Sequence, residues 1–203
     1  MRLTPLSALK RAVAALTQLP CRFCLVGGHA ASLYRSQERF TRDVDFAVVA
    51  SPKAKSRAVA ESAIKALGLK PMVGVIPLGK DEPERSVVCM ITSEPPAKEL
   101  TGLVDILLPE VPWVPEAVER AQSNMLNLGF AEVPVITPED LILAKCLSAA
   151  NEPDRFQDLD DIKQLFKDVK DLDVDYLRRR LHELSLVIPA AVRSFGPSSL
   201  DDK

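Results

Sequence analysis

The stretch Arg39-Phe40-Thr41-Arg42-Asp43-Val44-Asp45-Phe46-Ala47-Val48-Val49 places two acids at the start of an apolar run. From 44 to 50 the run is rich in valine and bounded by polar residues, which predicts a strand. Residues two apart in a strand point to the same face, so Asp43 and Asp45 project together. Two like charges side by side are unfavourable unless water solvates them or cations bind them. A solvated strand end meets the first condition. Mg²⁺ meets the second, because it binds one or two carboxylates and keeps waters and substrate phosphates in its other positions.

Upstream, the apolar run over 21–26 ends at Gly27-Gly28, and a helix is predicted over 29–35. Such a glycine pair lets backbone amides approach an anion at a helix N-terminus, and it serves a tight turn equally well. Downstream, Asp105 is the one carboxylate in Leu103-Val104-Asp105-Ile106-Leu107-Leu108. This strand shows little alternation and is expected to be covered on both faces. A buried carboxylate needs a partner or a metal. With Asp43 and Asp45 it would complete a two-metal site of the kind used for phosphoryl transfer; a salt bridge to Arg42 would satisfy it otherwise.

A second constellation lies further along. Lys145 is the only charge in Leu141-Ile142-Leu143-Ala144-Lys145-Cys146-Leu147, so a helix packed on most sides would leave its ammonium in need of an anion. In the next predicted helix, Leu159, Ile162, Leu165, Phe166 and Val169 define the apolar stripe. At about 100° per residue, Asp158 falls about 40° from the stripe's middle, Asp161 about 100°, and Asp160 nearly opposite. Asp158 is therefore the acid expected to face the core, with Asp161 at the border and Asp160 in solvent. A Lys145–Asp158 pair is either purely structural or also touches a substrate phosphate.

Composition narrows the function classes. Among 203 residues, 26 Lys+Arg against 28 Asp+Glu give a net charge of -2, which excludes nucleic-acid binding by bulk positive charge. Any such contact is local. The densest basic cluster is Arg178-Arg179-Arg180 with His182, a pattern that also suits a solvated helix face. Four cysteines are too few for a disulfide scaffold, and the lone Cys21-x-x-Cys24 reads as core thiols. Leu9, Val13, Leu16 and Leu19 mark a helix face capped at Ser7, and Lys10-Arg11 interrupts any signal peptide. With no membrane-spanning run, a cytoplasmic location without membrane partners is expected. Trp113 is expected as a core or turn anchor.

The remaining punctuation sets the organisation. Ser51-Pro52 predicts a helix start, with Gly68 as the stop near 67. Further strands are predicted over 73–76, 85–92 and 102–107. Thr137 caps a helix to about 150; others follow over about 155–169 and 174–186, the last capped by Asp173, and 194–203 is expected to fray. This gives an α/β domain over 1–133 and a helical domain over 134–203.

Taken in order, Gly27-Gly28-His29-Ala30, Arg39-x-Thr41-x-Asp43-x-Asp45, Val104-Asp105-Ile106, Pro138-Glu139-Asp140-Leu141, Lys145 and Asp158-Leu159-x-Asp161-Ile162 resemble the nucleotidyltransferase superfamily of polymerase-β-type fold. More narrowly they resemble the AbiEii and MenT type of toxin nucleotidyltransferases. The resemblance spans residues 22–166 and implies an α/β (α+β) fold, a mixed sheet with flanking helices and a C-terminal helical part that completes the active site. It implies that Gly27 and Gly28 hold a triphosphate and that Asp43 and Asp45 bind Mg²⁺ (or Mn²⁺). Asp105 would be the third carboxylate and the base for the attacking hydroxyl. Lys145 and Asp158 match the second essential pair, the lysine contacting nucleotide phosphates, while Arg39 and Thr41 shape the site. The sequence departs from the pattern at Gly27-Gly28, where many members have Gly-Ser, and at Tyr34-Arg35, where relatives often carry His-Gly.

The implied reaction moves a nucleoside monophosphate from an NTP to an acceptor hydroxyl, on a tRNA 3′ end or a protein side chain, in a toxin paired with a separate antitoxin. Two alternatives compete. One is a non-catalytic relative of the fold that binds nucleotide or protein. The other is a D-x-D glycosyltransferase, which needs a larger nucleotide-binding region than the 42 residues preceding Asp43.

Overall fold

The computed structural model describes residues 4–77, 86–94, 103–152 and 155–200. They fall into two units, Met1–His29 with Phe40–Ile136, and Ala30–Arg39 with Thr137–Lys203. The first unit is built on five strands: Cys21–Val26 (β1), Val44–Ala50 (β2), Pro71–Pro77 (β3), Ser86–Ser93 (β4) and Val104–Leu107 (β5). They lie in the order β1-β2-β5-β4-β3, with β2 and β5 parallel and the other neighbours antiparallel.

Period-two alternation decides which residues form the core. Register brings Phe23 opposite Val48, Leu25 opposite Phe46, and Ile106 between Phe46 and Ile91, all buried on one face. The Phe23 and Phe46 rings meet edge to face at 6.0 Å between centroids. Helices Pro5–Thr17 (α1) and Ser56–Ala66 (α3) pack on each other and on the sheet, burying Leu9, Val13, Leu16, Val59 and Ile64. Helix Val114–Ala121 (α4) packs on β1 and β2, its Glu119 paired with Arg22, and Trp113 just before it is buried as a core anchor. A two-stranded ribbon, Met125–Asn127 (β6) with Glu132–Pro134 (β7), runs back to β1, where the Ile136 N–H donates to the Leu25 carbonyl at 3.0 Å.

The second unit is helical. Helix Gly27–Tyr34 (α2) leads into residues 30–39, which join Pro138–Asn151 (α5), Phe156–Asp168 (α6), Val174–Glu183 (α7) and Ala190–Arg193 (α8). Leu141, Ile142, Leu143, Ile162, Leu165 and Leu177 form its apolar centre. The predicted caps are present: Thr137 Oγ1 accepts from the Asp140 N–H, and the Asp173 carboxylate accepts from the Tyr176 N–H. No helix among the described residues is long and apolar enough to cross a membrane.

Several local expectations change. The cap of α1 is Thr4, and Ser7 instead closes a reciprocal capping box from the third helical position. Ser51-Pro52 makes a turn, closed by the Ala54 N–H on the Ser51 carbonyl, and α3 begins only at Ser56. β5 alternates after all: Val104 and Ile106 are buried while Asp105 and Leu107 are half-buried. The tail is not wholly frayed, since Ser198–Leu200 forms a 3-10 turn against α7. The expected strand ends at 85 and 102 lie outside the described residues.

Gly68 follows α3 at φ 77°, and nothing stands within 4 Å of a Cβ placed there. Substitution by alanine therefore costs backbone strain alone. Gly68→Ala should lower the unfolding free energy by about 1–2 kcal/mol, read as a shifted midpoint in urea at unchanged slope.

Candidate active site

The sheet face opposite the Phe23–Phe46 layer carries the acids. Across the strands Val26 pairs with Asp45, Asp45 with Asp105, and Asp105 with Thr92. In-register neighbours share a face, so Asp45 and Asp105 stand side by side on parallel strands. Thr92 Oγ1 donates a hydrogen bond to Asp105, taking the place considered for Arg42, which is exposed. Burial pushes the Asp105 carboxyl above its ordinary value, the Thr92 hydrogen bond pulls it down, and the charge of Asp43 pushes it up again. Thr41 Oγ1 bonds the Asp43 carbonyl at 3.4 Å.

Gly27 faces Asp45 directly. It adopts φ 62°, and a Cβ there would lie 1.9 Å from Asp45 Oδ2. Both the left-handed backbone and the contact demand glycine. Gly27 is also the first residue of α2 and Gly28 is buried behind it, so the carboxylate row and a helix N-terminus meet at one point. Backbone N–H groups there favour an anion.

The residues fit a magnesium ion by donor chemistry. Among the described residues no three His, Cys, Asp or Glu side chains cluster closely enough to hold a metal alone. Two adjacent carboxylates, with Asp43 acting electrostatically on Asp105, are nonetheless a donor set for Mg²⁺ completed by substrate phosphate.

In the second unit the expected Lys145–Asp158 pair is present, Nζ to Oδ1 at 2.6 Å, with both side chains buried. Ser148 Oγ donates to Asp158 at 2.7 Å and Arg155 Nε lies 3.1 Å away. Burial alone would raise the Asp158 carboxyl; Lys145, Ser148 and Arg155 together hold it below the usual range. Helical periodicity misses the next member. Asp161, expected at the border, is fully buried and receives Arg35 at 2.7 Å, Arg39 Nε at 2.8 Å and Lys145 Nζ at 3.0 Å. Asp160, expected in solvent, is half-exposed and takes Arg35 at 2.6 Å. Arg39 is thus held by Asp161, and Gly27, Gly28, Thr41, Asp43, Asp45 and Asp105 gather in the first unit.

The model of the family of nucleotidyl transferase AbiEii toxins, a type IV toxin–antitoxin system, matches residues 8–189. The chain belongs to the AbiEii nucleotidyltransferase toxin family. An antigenic nucleotidyltransferase-like protein from Paracoccidioides brasiliensis is similar over 95% of each chain, at 16% identity and a TM-score of 0.52. The antibiotic-resistance factor ANT(2'')-Ia is similar over 87% of this chain and 90% of its own, at 16% identity and a TM-score of 0.54. At such identity these two structures establish the fold. No curated protein matches the chain. As a member of the AbiEii family, the chain is a nucleotidyltransferase with a mixed-sheet nucleotidyltransferase fold.

Two outcomes follow for this AbiEii-family site. The native Asp105 carboxyl keeps its proton in a pH window above 3.8 in which the unfolded chain has lost it. Acidification through that window therefore favours the folded state through this group, and its charged form is a cost at neutral pH. Asp105→Asn should raise the melting temperature at pH 7 and flatten this part of the pH–stability curve in calorimetry. Lys145→Met should cost about 3 kcal/mol by urea denaturation, the low end for breaking a buried ion pair, because Asp161 keeps Arg35 and Arg39.

Proposed function

We propose that the chain transfers a nucleoside monophosphate from an NTP to an acceptor hydroxyl, with Mg²⁺ (or Mn²⁺) held by Asp43 and Asp45 beside Asp105. The observation that carries this reading is the Asp45–Asp105 register against Gly27 at the start of α2. Gly27 and Gly28 offer backbone amides to the triphosphate. Asp105 accepts the proton of the attacking hydroxyl, and burial raises its affinity for protons. The acceptor oxygen bonds to the α-phosphorus, the bond from that phosphorus to its bridging oxygen breaks, and pyrophosphate leaves. When bound, the cation supplies Lewis acidity to the phosphoryl oxygens and offsets their charge. Lys145, oriented by Asp158, contributes positive charge toward nucleotide phosphates, and Arg39 and Thr41 shape the site. The acceptor is a tRNA 3′ end, with a protein side chain as the second candidate, and a separate antitoxin counters the activity in the cell. This last part rests on the family's type IV toxin–antitoxin character.

Incubation with Mg²⁺, each α-labelled NTP and either total RNA or total protein should give label in one acceptor class. EDTA, Asp43→Ala and Asp105→Asn should each reduce the rate at least about 100-fold, the scale of losing a positioned acid–base group. Absence of transfer to RNA or protein with all four NTPs would overturn the reading.

A further inference from the structure

Asp158, Asp160 and Asp161 of α6 share Lys145, Arg35, Arg39 and Arg155, and Arg155 also reaches Glu152 at 3.6 Å. Each cation divides its charge among the acids it touches. What Lys145 can offer an anion depends on how firmly the other cations occupy those acids.

Arg35 decides that. It stands immediately after α2, with only 4% of its side chain exposed. Its two terminal nitrogens reach successive residues of α6, one to Asp161 Oδ1 at 2.7 Å and one to Asp160 Oδ2 at 2.6 Å. Adjacent like charges repel, and one planar guanidinium holds both in a fixed fork. Asp161 Oδ1 is then shared by Arg35 and Arg39, leaving Oδ2 for Lys145 at 3.0 Å with a longer contact from Arg39 Nε at 3.1 Å. Without Arg35, Asp160 and Asp161 lose the cation they share. Asp161 would draw on Lys145 more strongly, and the ammonium would be less available to a ligand.

We propose that Arg35 is a positioning residue for nucleotide binding: by occupying Asp160 and Asp161 together it frees charge on Lys145 for the polyphosphate of the NTP. This rests on the function proposed above. Lysine cannot replace it fully, because an ammonium has the charge without the fork.

The test is steady-state transfer by wild type, Arg35→Ala, Arg35→Lys and the surface control Arg57→Ala, each checked for folding by thermal melting. Arg57 is an exposed α3 residue paired with Glu61, and its loss removes the same net charge. Arg35→Ala should raise KM for NTP about tenfold, the scale of losing one charge-assisted hydrogen bond, with kcat within about threefold. Arg35→Lys should recover part of that KM, and Arg57→Ala should leave it unchanged. If Arg35→Ala does not fold, the Arg35→Lys KM decides alone. An unchanged KM in Arg35→Ala, or in Arg35→Lys where alanine does not fold, overturns the proposal while leaving the transferase reading intact. A fall in kcat alone, or an equal KM rise in Arg57→Ala, overturns it too. Lack of transfer by wild type overturns the transferase reading first, and this proposal falls with it.

Discussion

A carboxylate that leaves water must meet a cation, a hydrogen-bond donor or a proton, and both units of this protein are arranged around that requirement. In the helical unit the answer is cations. Asp161, fully buried, is met by Arg35, Arg39 and Lys145, and Asp158 by Lys145 with Ser148 and Arg155. Removing any one of these changes what the others can reach. The apolar centre around Leu141, Ile142 and Ile162 can pack only because that charge is settled beside it.

In the sheet unit the answer differs. Parallel pairing of β2 with β5 sets Asp45 against Asp105, and Asp45 in turn leaves no room for a side chain at Gly27. Thr92 helps Asp105, yet burial and Asp43 still push its proton affinity up. The fold tolerates acids pressed together in one place and neutralises them carefully in another. Sites of chemistry are where such local costs are kept.

Much of this was legible from local pattern. β1 and β2 are bounded as the apolar runs suggested, Thr137 and Asp173 cap as their types suggest, and Asp158 faces the core at the angle that periodicity gives. Each of these depends on neighbours a few residues away. The α3 start failed because Ser51-Pro52 serves a β-turn as well as a helix N-terminus, and the strand before it consumed the geometry. Reading the acids as a candidate active site required the resemblance to known nucleotidyltransferases; composition and spacing alone left a solvated strand end open.

Asp161 shows where local reasoning stops. Its angle on α6 put it at the edge of the stripe, and as an aspartate it should then turn to water. It is buried because Arg39 arrives from 122 residues away and Arg35 from 126. No helical period encodes those partners. Arg35 gave the signal in reverse: it stood out only as a departure, a long cation where relatives often carry a small residue. A cation of that length is nearly fully buried here because two acids wait for it, so the departure in one segment and the unexpected burial in another are one fact. The substitution therefore changes the charge balance around Lys145 rather than the surface of the protein.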